Sequence, residues 1–594
     1  MAIASDSTSA NRPPKYPGED TTPTSQREIR GWYAYGIAAE VFAVCGVGSF
    51  LPLTLEQLAR ERGTLQSSHL PCVGPGSPAE STNGTAPAFR RAEGEEQCVV
   101  GVLGLEINTA SFAMYTFSLA VLVQALTLIS FSALADYENN RKTLLVAFGL
   151  IGSVASMLFI FVAPPVFVLG ALLVVVGVTC LGSSFVVLNS FLPVLVANDP
   201  SIQEEYKDRG EELPHLNPNG ESVDPPPYEE EDDFEQGTPD LGKKAQSTSP
   251  ELQLSTRISS KGVGLGYCAA VFVQILSILL LVTLNKTSVS KVSGTLPTRL
   301  VLLLVGIWWG SFTLVSRRWL RNRPGPPLDV AGGQSRWRAW LRLMGFAWRS
   351  LWKTVKVAVR LREVIVFLVA WFLLSDAMAT VSGTAILFAR TELKMSTTSV
   401  GLLSITATLS GMAGAFLWPV ISRRFQLKSN HTIMLCIGLF EIIPLYGMLA
   451  YIPLFKRWGV IGLQQPWEIF PLAFVHGVVS GGLSSYCRSF FGLLIPPGSE
   501  AAFYALYAAT DKGSSFIGPA IVGVLIDATG QVRSGFFFIA VLILCPIPLV
   551  WMVNADKGRR EGVAMAETLN QDRGGAGDDD EEAEGLLRMH HSDS

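Results

Sequence analysis

The sequence predicts an all-α membrane protein: twelve transmembrane helices arranged as two halves of six. Three observations predict it. Apolar runs long enough to cross about 30 Å of hydrocarbon, which takes about 20 residues, recur along the chain. Of 594 residues, 49% are hydrophobic and only 16% charged, and the mean hydropathy is +0.34. Soluble domains carry about 25% charged residues, so this is a membrane composition. Features of the first six runs also return in the last six.

Residues 1–31 are polar and rich in Pro, Ser and Thr, with no apolar core and no small-residue cleavage site. They read as a disordered tail, which leaves the first span to direct membrane insertion. The spans fall at 32–55, 107–133, 143–163, 166–196, 262–284, 297–316, 363–389, 398–421, 432–453, 468–495, 503–526 and 534–554. Only Pro164-Pro165 separates the third from the fourth, and the eleventh contains two adjacent charges. Helices one to four thus occupy 32–196 with a loop at 56–106, helices five and six 259–316, and helices seven to twelve 363–554.

Three other segments complete the chain. The insert 197–258 (with DPPPYEEEDDFEQ) is poor in aliphatics and cannot bury enough apolar surface to fold, so disorder is expected. The linker 317–362 is basic. Its stretch WRAWLRLMGFAWRSLWKTVKVAVR alternates Trp and Leu with Arg and Lys at helical spacing, the pattern of an amphipathic helix lying on membrane lipid. Residues 555–594 form an acidic tail.

Lys and Arg in the connections set the orientation. The linker holds Arg317, Arg318, Arg321, Arg323 and eight further bases against a lone Asp329, and Arg141-Lys142, Arg423-Arg424 and Lys557 lie in connections of the same parity. These belong to the cytosol, as do both termini. The sequons at Asn83 and Asn285 then face a lumen and are glycosylation candidates, while the sequon at Asn430 is cytosolic and stays bare. Cys72 and Cys98 share the first lumenal loop and form a disulfide if that lumen is oxidising. The other six cysteines sit in apolar runs as small buried hydrophobes.

The six histidines make no HExxH, there is no CxxC pair, and no GxxxxGK[ST] loop is present. These residues therefore argue against metal hydrolysis and against ATP-driven pumping. No paired catalytic groups are evident, so the chain is read as a non-enzyme with no metal or cofactor and no nucleic-acid partner.

Lys261-Gly262 opens the fifth span (SSKGVGLGYCAAVFVQIL), and Asp511-Lys512-Gly513 sits in the eleventh (TDKGSSFIGPAIVGVLI), six helices later. The first and seventh spans each hold one acid, Glu40 and Asp376. Matched halves suggest parallel repeats about an axis normal to the membrane, the major-facilitator plan. The signature of that fold between the second and third spans is only partly kept. SALADYENNRK supplies Asp136 and Arg141 but lacks the leading Gly and the base after Asp.

The stretches GWYAYGIAAEVFAVCGVGSFLPLTLEQLARERG, SALADYENNRKTLL, SSKGVGLGY, AWFLLSDAMATVSGTAILFAR and LIPPGSEAAFYALYAATDKGSSFIGP resemble the autophagy-related protein 22 family of fungal vacuole effluxers. The resemblance covers all twelve spans, whereas the tails and the 197–258 insert look individual. It implies a vacuole-membrane protein that releases amino acids, neutral ones such as leucine, to the cytosol after autophagic breakdown. Rival readings are an exporter of another solute (basic amino acids or small peptides) and a non-transporting scaffold.

Within this frame, Glu40 and Asp376 are candidates for the transport path, because an intramembrane acid usually faces a cavity. At least one is expected to exchange protons; the alternative is a carboxyl held by neighbouring backbone or hydroxyls. Arg488 either joins the path or snorkels to the surface. Glu441 reads as a packing group. Asp511 and Lys512 point about 100° apart on a helix, so separate partners on other spans are expected, making a cytosolic-side gate. Asp136, Arg141 and Lys261 are further candidates for gating or inter-helix pairing. In the tails, Pro225, Pro226 and Tyr228 fit a PPxY motif for a WW-domain ubiquitin ligase. Glu582, Leu586 and Leu587 fit an acidic dileucine signal for adaptor-complex sorting machinery.

Overall fold

The computed structural model describes residues 20–66, 69–73, 97–102, 104–135, 139–202, 250–286, 294–325, 336–496, 500–565 and 568. Asp136, Asn83, the PPxY residues Pro225, Pro226 and Tyr228, and the dileucine residues Glu582, Leu586 and Leu587 lie outside them. Eleven helices in the described residues are long and apolar enough to cross a membrane. They are Gln26–Arg62, Thr109–Phe131, Asn140–Phe161, Pro164–Ala197, Lys261–Leu284 and Leu296–Trp319 in the first half. The second half has Arg362–Thr391, Thr397–Arg424, Ser429–Tyr451, Pro466–Leu494 and Val532–Met552.

The remaining predicted crossing, the eleventh at 503–526, is not one helix. It is a pair, Glu500–Ser514 and Ile517–Thr529, broken at Ser515 and Phe516. Proline does not cause this break, since Pro519 sits inside the first turn of the second piece, where its missing N–H is tolerated. Pro164-Pro165, by contrast, do end a helix: Val162 and Ala163 are extended, and a short 3-10 turn Pro164–Val166 restarts the chain.

The first span has its own irregularity. Between α-helical Gln26–Val41 and Leu51–Arg62 it widens into a nine-residue π-helix, Phe42–Phe50. Ser49 Oγ fits this widening by donating to Val44 O, five residues back, at 3.1 Å. Such π segments are rare and concentrate at functional sites.

Two sets of polar contacts repeat between the halves, and both were missed in the sequence. Glu28, in the first turn of the first span, pairs with Arg323 just after the sixth: Arg323 Nε donates to Oε1 at 2.7 Å and Nη2 to Oε2 at 2.9 Å. Glu363, in the first turn of the seventh span, accepts Asn554 N–H at 2.9 Å and Lys557 Nζ at 3.2 Å, just after the last span. In each half the chain thus closes on its own beginning. The second set lies at the far ends. Arg299 opens the sixth span and donates to Val162 O at 2.8 Å, at the end of the third. Arg533 opens the last span and donates to Gly447 O at 2.9 Å, near the end of the ninth, and to Gly462 O at 2.6 Å in the connection that follows it. Both arginines occupy one position in a six-helix repeat, where they satisfy helix-terminal carbonyls.

A small antiparallel sheet covers the bundle between the first two spans. Its strands β1 (Thr64–Leu65), β2 (Cys98–Val102) and β3 (Leu105–Asn108) pair in sequence order, with Val99 opposite both Thr64 and Asn108. Cys72 and Cys98 are joined by a disulfide beside this sheet. At the other end, Arg336–Arg360 is a helix that leaves Trp348, Trp352, Lys353 and Lys356 exposed.

Candidate functional site

A cavity of about 1250 Å³ opens inside the bundle. The π segment contributes Ala43, Val44 and Gly48, the fifth span Gly264 and Tyr267, and the seventh Ser382. The eighth and tenth spans complete the wall with Ser404, His476 and Arg488 among many apolar side chains. None of the described residues lining it is an acid. Arg488 makes no ion pair within 4 Å among the described residues and is exposed toward the cavity it lines.

The halves meet on the side away from the tails. Asp527 of the broken helix accepts Asn108 N–H at 2.9 Å and Tyr115 OH at 2.8 Å. Ser111 donates to Gly523 O at 3.0 Å, and Ser118 to Phe516 O at 2.6 Å. Ser49, Gln274 and Ser404 form a further contact across the halves, at 2.5 and 2.7 Å. These groups lie toward the start of the second and eighth spans and the lower part of the first, at the end opposite the tails.

The two acids matched by sequence position have different surroundings. Asp376 is 1% exposed, does not line the cavity, and accepts the Gly518 N–H at 3.0 Å. Gly518 stands in the first turn of Ile517–Thr529, where unpaired N–H groups and the helix dipole favour an acidic partner. A Cβ on Gly518 would collide with Thr380 and Asp376, so only glycine lets the seventh span come this close. Glu40 is half-buried instead. A Cβ at Gly266 would stand 3.0 Å from Glu40 Cβ, so this glycine lets the fifth span close over the acid. Lys512 and cavity-lining Tyr267 both lie within electrostatic reach of it.

The separate partners expected for Asp511 and Lys512 are not what the structure shows. Lys512 Nζ lies 3.0 Å from Asp511 Oδ2: the flexible four-carbon stem folds back across the 100° between the two positions. Asp511 also accepts the Ser375 hydroxyl at 2.5 Å. Its backbone carbonyl collects two further hydroxyls at the break, from Ser514 at 3.0 Å and Ser515 at 3.1 Å. Side-chain hydroxyls therefore satisfy what the interrupted helix leaves open, which is how broken helices persist in lipid. Lys512 remains 51% exposed although it is deep in the bundle and within reach of Arg488 and Glu40.

The echo between Lys261 and Lys512 also ends at the sequence. Lys261 is exposed and its ammonium stands 5.8 Å from the Tyr33 ring, with no acid beside it in the chain to turn back to. Arg141 lies 5.6 Å from the Phe191 ring. Asn285 ends the fifth helix. Glu441 is 4% exposed, and neither carboxyl oxygen has a hydrogen-bond partner among the described residues. Sequence reasoning passed over His476 and Ser382. The signal was there: one histidine inside an apolar helix, in FVHGVVSGGLSS.

A profile for "Vacuole effluxer Atg22 like" proteins matches residues 24–563. The chain belongs to this family. Its relatives include Autophagy-related protein 22-2 of Aspergillus oryzae, 80% identical over 97% of this chain and 96% of that one. Autophagy-related protein 22-1 of Aspergillus clavatus is 77% identical over 97% of both. Among solved structures, the POT family transporter PepTSo superposes with a TM-score of 0.53 at 14% identity, covering 90% of this chain and 99% of that one. An auto-inhibited POT family peptide transporter gives 0.51 at 13% identity, covering 89% and 96%. At such identities the likeness shows the fold alone, which is the transporter fold that the matched halves predicted. The Atg22-like chain is thus a multi-pass membrane protein with a transporter's architecture, as the two tail-side clasps and the two arginine-held helix ends already indicated.

Proposed function

We propose that this protein exports amino acids, neutral ones such as leucine, from the vacuole lumen to the cytosol by alternating access. One observation carries the reading: a cavity of about 1250 Å³ between halves whose direct hydrogen bonds, among the described residues, lie on the side away from the tails. A scaffold needs no such cavity. The closed side holds the disulfide-linked sheet, the other the tails, and the basic connections assign the tails to the cytosol. The described conformation then faces the cytosol.

Membership of a vacuole effluxer family and the absence of acids from the cavity wall support a zwitterionic substrate over a basic one. Arg488 supplies a planar fork suited to a carboxylate. Glu40 stands beside the path, and Asp376, Asp511, Lys512 and Ser375 hold the broken helix that moves against it. Protons are the proposed coupling ion. Release of labelled leucine and labelled arginine from isolated vacuoles, with and without this protein, tests the reading. Faster leucine release with little change for arginine is expected; equal release of both in the two preparations leaves the scaffold.

A further inference from the structure

His476 is the one imidazole among the described residues that line the cavity, and its hydrogen bonding fixes its protonation pattern. Ser382 Oγ lies 2.8 Å from Met378 O and 3.0 Å from His476 Nε2. A hydroxyl owns one proton and a carbonyl can only accept. Both contacts therefore hold together in one way: Ser382 donates to Met378, and His476 Nε2–H donates to Ser382. The neutral ring is then the Nε2–H tautomer, which leaves a lone pair on Nδ1. The Phe440 ring packs 5.6 Å away and limits how the imidazole turns.

Resting on the transport reading above, we propose that His476 is the proton-binding group of the cavity and that it holds the substrate's carboxylate only when protonated. With Nδ1 bare, its lone pair faces the carboxylate oxygens and repels them. A proton taken from lumenal water at Nδ1 turns the ring into a cation and Nδ1 into a donor, so proton and carboxylate bind as a neutral pair. Toward the cytosol the proton returns to water, the donor is lost, and the carboxylate leaves. The substrate thus favours one protonation state, which is the condition for coupling. Arg488 lies twelve residues along the same helix, about 18 Å away at 1.5 Å per residue. One amino acid cannot span that distance, so Arg488 is a later carboxylate station nearer the tails.

Other charged groups lie on the elements packed around His476. On the ninth span, Glu441 neighbours the packing Phe440. On the seventh, Asp376 is held by Gly518, and Arg390 donates to Met395 O at the helix end. Glu468, at the start of the tenth, accepts Tyr446 OH and Leu463 N–H. The eighth carries its bases, Arg423 and Arg424, in its last turn. None of these lines the cavity.

The test uses vacuolar-membrane vesicles loaded with labelled leucine at a series of lumenal pH values, with a dye reporting proton movement. Wild type is expected to speed efflux on acidification, by at most about tenfold per pH unit for one proton, with protons leaving alongside leucine. His476→Gln should flatten the pH profile and uncouple proton from leucine movement. A His476→Gln protein with the wild-type profile and wild-type proton movement overturns the proposal. Should that variant fail to assemble, Ser382→Ala decides: it removes the partner of Nε2, so the profile must shift along the pH axis, and an unmoved profile overturns the proposal. Wild-type vesicles that move no leucine sink the transport reading as well. Wild-type vesicles that move leucine independently of pH sink only this inference.

Discussion

Asp376 Oδ1 accepts the backbone N–H of Gly518 at 3.0 Å, joining the middle of the seventh span to the first turn of a restarted helix. The neighbouring Ser375 reaches the last turn of the helix before the break. Two adjacent residues therefore grip both sides of one interruption. Asp376→Ala leaves a buried helix-terminal N–H unpaired, which costs about 1–3 kcal/mol. Thermal unfolding of the purified protein should show this loss for Asp376→Ala and little of it for Asp376→Asn, which keeps the acceptor. Gly518→Ala should also lower the unfolding temperature, because the added methyl meets Thr380. Equal stability of all three variants would remove the clamp.

The tail-side clasps differ in burial, and their variants should differ in the same sense. Arg323 is 2% exposed and Glu28 is fully buried, and Arg323 also donates to Asp20 O and Thr22 O at 3.0 Å. Glu28→Ala leaves a buried guanidinium without its counter-charge, a loss of about 3–5 kcal/mol. Lys557 is 43% exposed, and an exposed pair is worth about 0–1 kcal/mol, so Lys557→Ala should be nearly silent. Yield of folded, vacuole-targeted protein reads both. A silent Glu28→Ala contradicts the assignment.

Eleven of the twelve expected spans, and their order, were legible because hydrocarbon demands length and apolarity, which a sequence displays directly. The break at Ser515 and Phe516 was not. No proline marks its start, and the residues that allow it, Ser375 and Asp376, lie about 140 positions upstream. The halves were matched on Glu40 and Asp376, whereas the structural match is Arg27-Glu28-Ile29 with Arg362-Glu363-Val364, both in first turns. Charges at helix ends read as loop charges until their partners are known. Glu40 and Asp376 drew notice because acids are costly in lipid. A neutral imidazole such as that of His476 carries no such penalty, and the role proposed for it rests on Ser382, in another helix.

Sidedness is open to a direct assay. With the tails in the cytosol, Cys72 and Cys98 face the lumen beside the sheet, and Asn83 lies in the same connection. Glycosidase treatment should shift the mobility of wild type and not of Asn83→Gln, while Asn430→Gln behaves as wild type. Cys72→Ser should free a thiol at Cys98 that labels only when lumenal access is opened. A mobility shift traced to Asn430 reverses the orientation, and the direction of transport with it.

Sorting is a separate question from folding, because Leu586 and Leu587 lie beyond the helices that form the bundle. Leu586→Ala with Leu587→Ala should divert the protein from the vacuole membrane without lowering its unfolding temperature. Deleting 225–228 should slow ubiquitin-dependent turnover. Unchanged localisation and unchanged turnover, followed by microscopy and by chase of labelled protein, leave both motifs as chance matches.

Alternating access makes its sharpest demand at Ser49 and Ser404, whose hydroxyls meet at 2.5 Å between the first and eighth spans. These spans belong to different halves, and Ser404 also accepts Gln274 Nε2 from the fifth at 2.7 Å. If transport opens the closed side, this contact must part in every cycle. Ser49→Cys with Ser404→Cys places two thiols where a disulfide needs little movement, since both Cβ atoms already flank one hydrogen bond. Cys45 is buried one turn away, so the pair is best examined with Cys45→Ala. Oxidation should then stop leucine efflux and reduction should restore it, while each single-cysteine variant transports throughout. The lock acts by holding one conformation, so it should suppress efflux at every lumenal pH, unlike His476→Gln, which acts on the pH response. Efflux that continues through a cross-link verified by peptide mapping means that the halves do not separate here, and that substrate takes another way out of the cavity.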